Sequence, residues 1–267
     1  MRGQPKRVDI IPAKRRVLIL EHLKANGAAS IQELAEVIGG SQSTTRRDLE
    51  HLMEAGYLER THGGALLVPP MRATFEGESS LNAQMRREQK QAIGIEAAER
   101  LSPHDSVIFD SSSTVLEAVR AAARRLLPLT VVTNSLEIAL FSASVPQWRV
   151  LMPGGTVRPG STMLTGDTGS DFLKLVHTDV CFTGAFAVTG GLLTDATIEV
   201  ASLKRAMMKS ARRRILLVDS TKFRPPAFCT FSELSEIDEV ITDDGIRPEH
   251  LAVLRTFELK VTVVPAA

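Results

Sequence analysis

The sequence predicts a two-part chain: a small, mainly helical N-terminal domain, then a larger α/β domain built on a mostly parallel sheet. Three observations carry this. A length of 267 residues points to about two domains, and 43% hydrophobic with 24% charged residues is ordinary globular composition. Residues 13–55 repeat their apolar positions at helical spacing, broken by glycines. Beyond residue 84, apolar β-branched runs alternate with helical segments, the pattern of strands covered on both faces by helices.

In the first part, Val17, Leu20 and Leu23, helped by Ile19, mark a helix over Ala13–Asn26 that Gly27 stops. Gly27, Ala28 and Ala29 read as a short link. Ser30, with Glu33 three positions on, caps a second helix whose inner face is Ile31, Leu34, Ala35 and Ile38. After Gly39 and Gly40, Ser41 caps a third helix over Gln42–Ala55, with Leu49, Leu52 and Met53 inside. Gly56 ends it, and Tyr57–Val68 reads as a hairpin turning at Gly63 and Gly64. Pro69–Ser80 loses periodicity and gathers breakers. The expected organisation is therefore a basic arm over 1–12, a helical domain over 13–70, a linker over 71–83 and the α/β domain over 84–267.

In the second part, helices are expected over Gln84–Leu101, Thr114–Leu127, Leu136–Ala143, Glu199–Ala211 and Pro248–Phe257. Strands are expected over Ser106–Asp110, Leu129–Thr133, Arg149–Met152, Asp179–Thr183, Ile215–Asp219, Glu239–Thr242 and Lys260–Val264. Arg212, Arg213 and Arg214 read as a solvated helix end before a strand.

Composition excludes several classes. No run approaches the ~18 to 20 apolar residues of a membrane span, and Met1–Arg16 lacks the apolar stretch of a signal peptide, so no membrane is expected and the cytoplasm is. Cys181 and Cys229 make no disulfide framework or metal-ligand spacing, and the six histidines are scattered singly. Both cysteines read as packing residues. No nucleophile elbow, Walker loop, metal-binding cluster or dinucleotide fingerprint occurs, so no cofactor or metal is implied.

The net charge of +1 hides an uneven distribution, because residues 1–16 carry six basic side chains against one acidic. Behind that arm, the second and third helices meet through a tight glycine turn, and the third exposes Gln42, Ser43, Thr44, Arg46 and Arg47 beside the capping Ser41. Arginine bonds guanine bidentately, hydroxyls reach base edges or phosphates, and a helix N-terminus favours phosphate. A solvated helix face is the plainer reading. The hairpin that follows, with His62 placed to meet a phosphate, makes a wing, and helix-turn-helix, wing and basic arm together form a constellation for binding double-stranded DNA.

The residues Gln32-Glu33-Leu34-Ala35, Ser41 to Thr44, Arg46-Arg47-Asp48-Leu49, Gly56-Tyr57-Leu58 and Arg60-Thr61-His62-Gly63-Gly64-Ala65 closely resemble the DeoR family of bacterial transcriptional regulators. The resemblance implies a winged helix-turn-helix followed by a Rossmann-like sensor domain similar to ribose phosphate isomerases. It also implies a phosphorylated sugar as effector and operator DNA as partner.

Several clusters at strand carboxyl ends match that expectation. Asp110-Ser111-Ser112-Ser113-Thr114 offers hydroxyls beside free backbone N–H groups; by itself it is either a helix cap or an anion cradle. The family has Asp-x-Gly-Thr-Thr here, so Asp110 and Thr114 are kept, while Ser112 replaces glycine and is expected to crowd a ligand near the backbone. Thr133 and Asn134 match the family's Thr-Asn, and Gly154 and Gly155, ahead of Arg158, Ser161 and Thr162, its Gly-Gly loop. Glu199 and Lys204, loosely on one helix face, and Lys222, placed to neutralise a phosphate, match further elements. Turn glycines and a surface lysine are the plainer readings.

The expectation is a sequence-specific DNA-binding regulator, a repressor of a carbohydrate-metabolism operon, acting as a homo-oligomer and not as an enzyme. The alternatives are an isomerase-like enzyme fused to a DNA-binding module, with Glu199, Asp110 and Lys222 as its acid and base groups, and a DNA-binding protein without a small ligand.

Overall fold

The computed structural model describes residues 11–54, 57–61, 63–67, 85–158 and 161–266, with the backbone alone at 24, 25, 60 and 67. The chain forms two compact units, Met1–Met85 and Arg86–Ala267. The first ten residues of the expected arm, His62 and the connection over 71–83 lie outside the described residues.

In the first unit, helix α1 (Pro12–Asn26) starts on a proline, whose missing N–H costs nothing in a first turn, and stops at Gly27. Helix α2 (Ile31–Val37) opens with a complete capping box between Ser30 and Glu33. Helix α3 (Gln42–Glu54) follows the glycine turn. Val17, Ile19, Leu20, Leu23, Leu34, Ile38, Leu49, Leu52, Tyr57, Leu58 and Ala65 close one core.

The expected link before α2 contains a strand, β1 (Ala28–Ser30), which pairs antiparallel with β3 (Gly64–Leu67), itself paired with β2 (Leu58–Thr61). Three residues reading Ala-Ala-Ser carry no alternation, so the strand is invisible in sequence. The pairing depends on Gly64, where a Cβ would lie 2.2 Å from the Ala29 carbonyl oxygen. Thr61 pairs with Gly64, so Gly64 lies in the strand and not in the turn where the glycine pair predicts it.

The second unit runs α4 (Arg87–Ala98), β4 (Ser106–Phe109), α5 (Ser113–Arg124), β5 (Leu129–Thr133), α6 (Leu136–Ala143) and β6 (Trp148–Leu151). It continues with β7 (Thr156–Val157), β8 (Leu164–Thr165), α7 (Asp167–Leu173), β9 (Thr178–Thr183), β10 (Ala187–Thr189), β11 (Leu192–Asp195) and α8 (Ile198–Lys209). It ends with β12 (Ala211–Leu217), β13 (Cys229–Glu233), β14 (Glu239–Asp243), α9 (Pro248–Leu254) and β15 (Lys260–Val264). Seven strands form a parallel sheet in the order β15-β14-β12-β9-β4-β5-β6. Successive side chains alternate between two apolar layers: Val107 and Phe109 join one, Ile108 the other. That is why these strands read as apolar throughout.

Three features depart from expectation. Arg212–Arg214 lie inside β12 rather than at a helix end, with Arg214 Nε 3.1 Å from Asp238 and Arg212 and Arg213 at longer range from Asp179 and Glu239. A side sheet, β10-β11-β13, is antiparallel, and a ribbon, β7-β8, follows β6. These strands are too short for their alternation to stand out. Cys181 is buried and Cys229 half-buried, both free. Among the described residues no helix is long and apolar enough to cross a membrane, and no group of His, Cys, Asp or Glu could hold a metal.

Glu239 ties the outer strands to α4. Its buried carboxylate accepts from Arg100 (2.8 Å from Nη2), Thr262 Oγ1 (2.8 Å) and Lys260 (3.1 Å). Burial works to raise its pKa, but the hydrogen bonds from Arg100, Thr262 and Lys260 outweigh it and hold the group below its ordinary 4.5. A lowered folded pKa gives stability that is complete above the ordinary value and lost as pH falls through the folded one. In Glu239→Gln, measured by urea unfolding, the stability deficit relative to wild type shrinks as pH falls from about 5 toward 2; a deficit constant across that range contradicts the assignment.

Candidate functional site

On α3, Ser41 Oγ accepts the Thr44 N–H at 3.2 Å and lies 2.8 Å from Ser43 Oγ and 2.9 Å from Thr44 Oγ1. Ser41 and Thr44 are half-buried in this cap, whereas Gln42, Ser43, Arg46 and Arg47 are exposed. The opposite side of the helix is pinned. Asp48, buried beside Leu49 and Leu52, accepts from Arg15 Nε at 2.7 Å and Arg16 Nε at 3.2 Å. A charge-assisted clamp from α1 thereby fixes the rotation of α3 and which side chains face outward. Sequence reasoning missed this role; its signal was an acidic residue on the apolar stripe Thr45, Asp48, Leu52.

In the sheet, strand order reverses at β4: β5 and β6 extend to one side, β9, β12, β14 and β15 to the other. Open parallel sheets bind ligands beyond the strand carboxyl ends at such a switch point. Register sets what stands there. Phe109 pairs with Thr133 on β5 and with Phe182 on β9, so Asp110, Asn134 and Thr183 come level, with Ser111 and Gly184 one step beyond.

Asp110 is buried and wholly engaged. One carboxylate oxygen accepts the Ser112 N–H (2.8 Å); the other accepts the Thr183 hydroxyl (2.9 Å) and the Gly184 N–H (2.8 Å) and faces Lys204 Nζ at 3.3 Å. Lys204, also buried, spends its remaining donors on Asp195 (2.9 Å) and the Gly184 carbonyl (2.9 Å). Burial works to lower the Lys204 pKa, but Asp195 and Asp110 outweigh it and push it above the ordinary lysine range. Asp195 had escaped notice in the sequence, where it ends a short apolar strand.

Ser112 caps α5 by accepting the Val115 N–H at 3.2 Å. Its side chain lies against Gly184, where a Cβ would sit 2.5 Å from Ser112 Oγ. The bulk that replaces the family's glycine is thus taken up by Gly184, not turned to the open side as expected. Ser111 and Ser113 are half-buried and Thr114 buried in the same turn. Thr133 Oγ1 accepts the Ser135 N–H at 3.1 Å. Asn134 is buried, donates Nδ2 to the Leu164 carbonyl at 3.1 Å and leaves Oδ1 with no partner.

The remaining expected residues divide. Gly154 and Gly155 have φ of 74° and 126°, and a Cβ on Gly155 would lie 2.4 Å from the Thr165 carbonyl oxygen, so the turn into the β7-β8 ribbon itself requires them. Glu199 is exposed in the first turn of α8 and is not brought to Lys204 or Asp110, which separates the proposed acid and base groups. Lys222 stands 5.9 Å from the Phe186 ring centroid, and Arg224 4.1 Å from the same ring while donating Nη2 to the Phe186 carbonyl at 2.8 Å. Burial works to raise the pKa of Asp219, beside them, yet Lys222, Lys90 and the Thr221 hydrogen bonds hold it low. Phe186, Arg224 and Lys90 carry no motif in sequence; only the fold gathers them.

The Ser112 and Gly184 contact generates a double-mutant test. Gly184→Ala destabilises the second unit by roughly 1–3 kcal/mol through overpacking, and adding Ser112→Gly restores at least half of that in urea unfolding. Additive losses would contradict the contact.

The DeoR-like helix-turn-helix domain matches residues 15–70, and the DeoR C terminal sensor domain matches residues 85–244. The chain is 32% identical over 241 residues, 89% of its length and 92% of the relative's, to the HTH-type transcriptional regulator GolR of Listeria innocua. It is 31% identical to a putative aga operon transcriptional repressor of Escherichia coli O157:H7, covering 94% of each chain, and 31% identical to the HTH-type transcriptional repressor GlcR of Bacillus subtilis, covering 86% and 88%. Among solved structures, ribose 5-phosphate isomerase A of Methanocaldococcus jannaschii superposes with a TM-score of 0.39 at 16% identity over 51% of this chain and 53% of that one, too distant to bear on function. By both of its domains and by its relatives, the chain belongs to the DeoR family of transcriptional regulators.

Proposed function

We propose that the chain is a repressor whose α3 face reads double-stranded operator DNA and whose second unit releases that DNA when it binds a phosphorylated sugar. The DNA half rests on one observation: Gln42, Ser43, Arg46 and Arg47 are exposed on a helix whose far side is clamped through Asp48. Ser41 and Thr44 hold the helix start, and His62 belongs to the wing by its place in sequence. One such helix spans only a few base pairs, so a homo-oligomer on repeated half-sites is the natural form. The cytoplasm, where the operator lies, is its place of action, and the linker over 71–83 joins reader to sensor.

The ligand half rests on Asn134. A buried acceptor without a partner calls for a donor, and a sugar hydroxyl supplies one. Beside it, Ser111, Ser113, Thr114 and the N–H groups at the start of α5 suit phosphate, and Lys222, in the turn after β12, adds a cation. Gly154 and Gly155, required by the turn into the β7-β8 ribbon, stand on the other flank. Asp110 and Lys204 act as framework, and Glu199 stands at the rim. The names of two relatives, a putative aga operon transcriptional repressor and the transcriptional repressor GlcR, support repression. By linkage, a ligand that prefers the form fitting DNA poorly must weaken DNA binding.

Anisotropy titration on DNA from the protein's own promoter region, at fixed salt and with a panel of sugar phosphates, tests both halves. Arg46→Ala loses about 1–3 kcal/mol of operator binding, roughly 5- to 150-fold; unchanged affinity sinks the DNA assignment. One sugar phosphate releases the wild type, and release by none sinks the ligand half alone.

A further inference from the structure

The second unit begins with a joint that is loose on several counts. Arg86, its first residue, caps α4 in the left-handed region at φ 56°, ψ 38°, where a non-glycine residue is strained. Its Nη2 lies 3.5 Å from Ser220 Oγ and 3.7 Å from Asp243 Oδ2, both longer than the ~2.7–2.9 Å of a closed charge-assisted contact. Its Nε is buried with no partner. A guanidinium whose Nε has no partner and whose Nη2 is held only by two long contacts describes a contact that a small shift would tighten or open.

What Arg86 touches is built tightly. Asp243 is buried and accepts the Ser220 N–H at 2.6 Å, the Ser220 hydroxyl at 2.8 Å and the Gly245 N–H at 3.1 Å. A Cβ on Gly245 would lie 2.7 Å from Ser220 Oγ and 3.4 Å from Arg86 Nη2, so the knot leaves no room for any other residue there. Ser220 opens the short helical turn Ser220–Lys222, whose cap is Asp219 and whose last residue is Lys222. One turn along α4 from Arg86, buried Lys90 bears electrostatically on that same Asp219. Two cations four residues apart on α4 thus engage the one turn that carries a candidate effector lysine.

We propose that Arg86 is a positioning residue that couples the effector site to the DNA-reading unit. A phosphate seated at Lys222 shifts the Ser220–Lys222 turn, and Arg86 converts that shift into a change at the point where the chain enters α4 from the linker. This rests on the regulator reading above and adds the route by which occupancy is felt. Neither the DNA face nor the ligand-binding groups include Arg86.

The test uses the full chain with Arg86→Gln, which removes the cation, Arg86→Gly, which also relieves the left-handed strain, and Arg86→Lys. Operator affinity is measured first without any sugar phosphate, then with the panel member that releases the wild type, using inorganic phosphate as control. The expected result is a shift of at least ~3-fold in ligand-free operator affinity in the Gln and Gly variants, and at least ~5-fold less release by the sugar phosphate, within the usual 5- to 150-fold span of such coupling. The Lys variant recovers part of both. Binding of the sugar phosphate to the isolated variants stays within ~2-fold of wild type. Wild-type operator affinity and wild-type release in both Gln and Gly variants overturn the proposal, since a merely structural role moves stability and not the release ratio. If the variants do not fold, hydrogen exchange of wild-type residues 87–92 decides: protection that changes on operator binding supports the coupling, and unchanged protection overturns it. A wild type that binds no DNA overturns the regulator reading, and the coupling with it.

Discussion

The sensor unit depends on one buried ammonium. Lys204 sits out of water with Asp110, Asp195 and the Gly184 carbonyl as its partners. Leaving any one of these charges unmatched in the interior costs roughly 3–5 kcal/mol, so none of the elements that carry them can drift alone. Those elements are the end of β4, the end of β11, the turn after β9 and the middle of α8. Strand order reverses at β4, and this knot fixes the ends of β4 and β9 that flank the reversal. Asp110 then holds the Ser112 N–H, which orients the first turn of α5 and its hydroxyls.

The DNA-reading unit solves a similar problem with one carboxylate. Asp48 takes guanidinium donors from Arg15 and Arg16, so part of the basic run near the N-terminus is structural. Both units therefore spend buried charge on orientation, through Asp48 in one and Lys204 in the other. Neutral packing could hold the same elements together, but apolar contacts are non-directional and would fix rotation and register less sharply.

Much of this was legible in the sequence because it is written in short-range patterns. The Ser30 capping box, the glycine stops and the apolar runs of β4, β5, β9 and β14 follow from local chemistry and periodicity. What stayed hidden depends on residues far apart in the chain. Lys204 looked like a ligand group until Asp110 and Asp195 were seen around it. Ser112 looked like an obstruction until Gly184, seventy-two positions on, was found to make room for it. The strand β1 is too short to show a period, and Arg212–Arg214 read as a helix end because three consecutive charges mask the start of β12. Gly155 illustrates the converse: its motif is real, yet the backbone approach to Thr165 accounts for it fully.

The central claim is that two sites on one chain share a single free-energy linkage. Calorimetric titration of the releasing sugar phosphate into free protein and into protein saturated with operator DNA addresses it most directly. The account predicts weaker binding to the DNA complex, by the same factor by which the sugar phosphate weakens operator affinity. Equal affinity for the free and DNA-bound protein would contradict it.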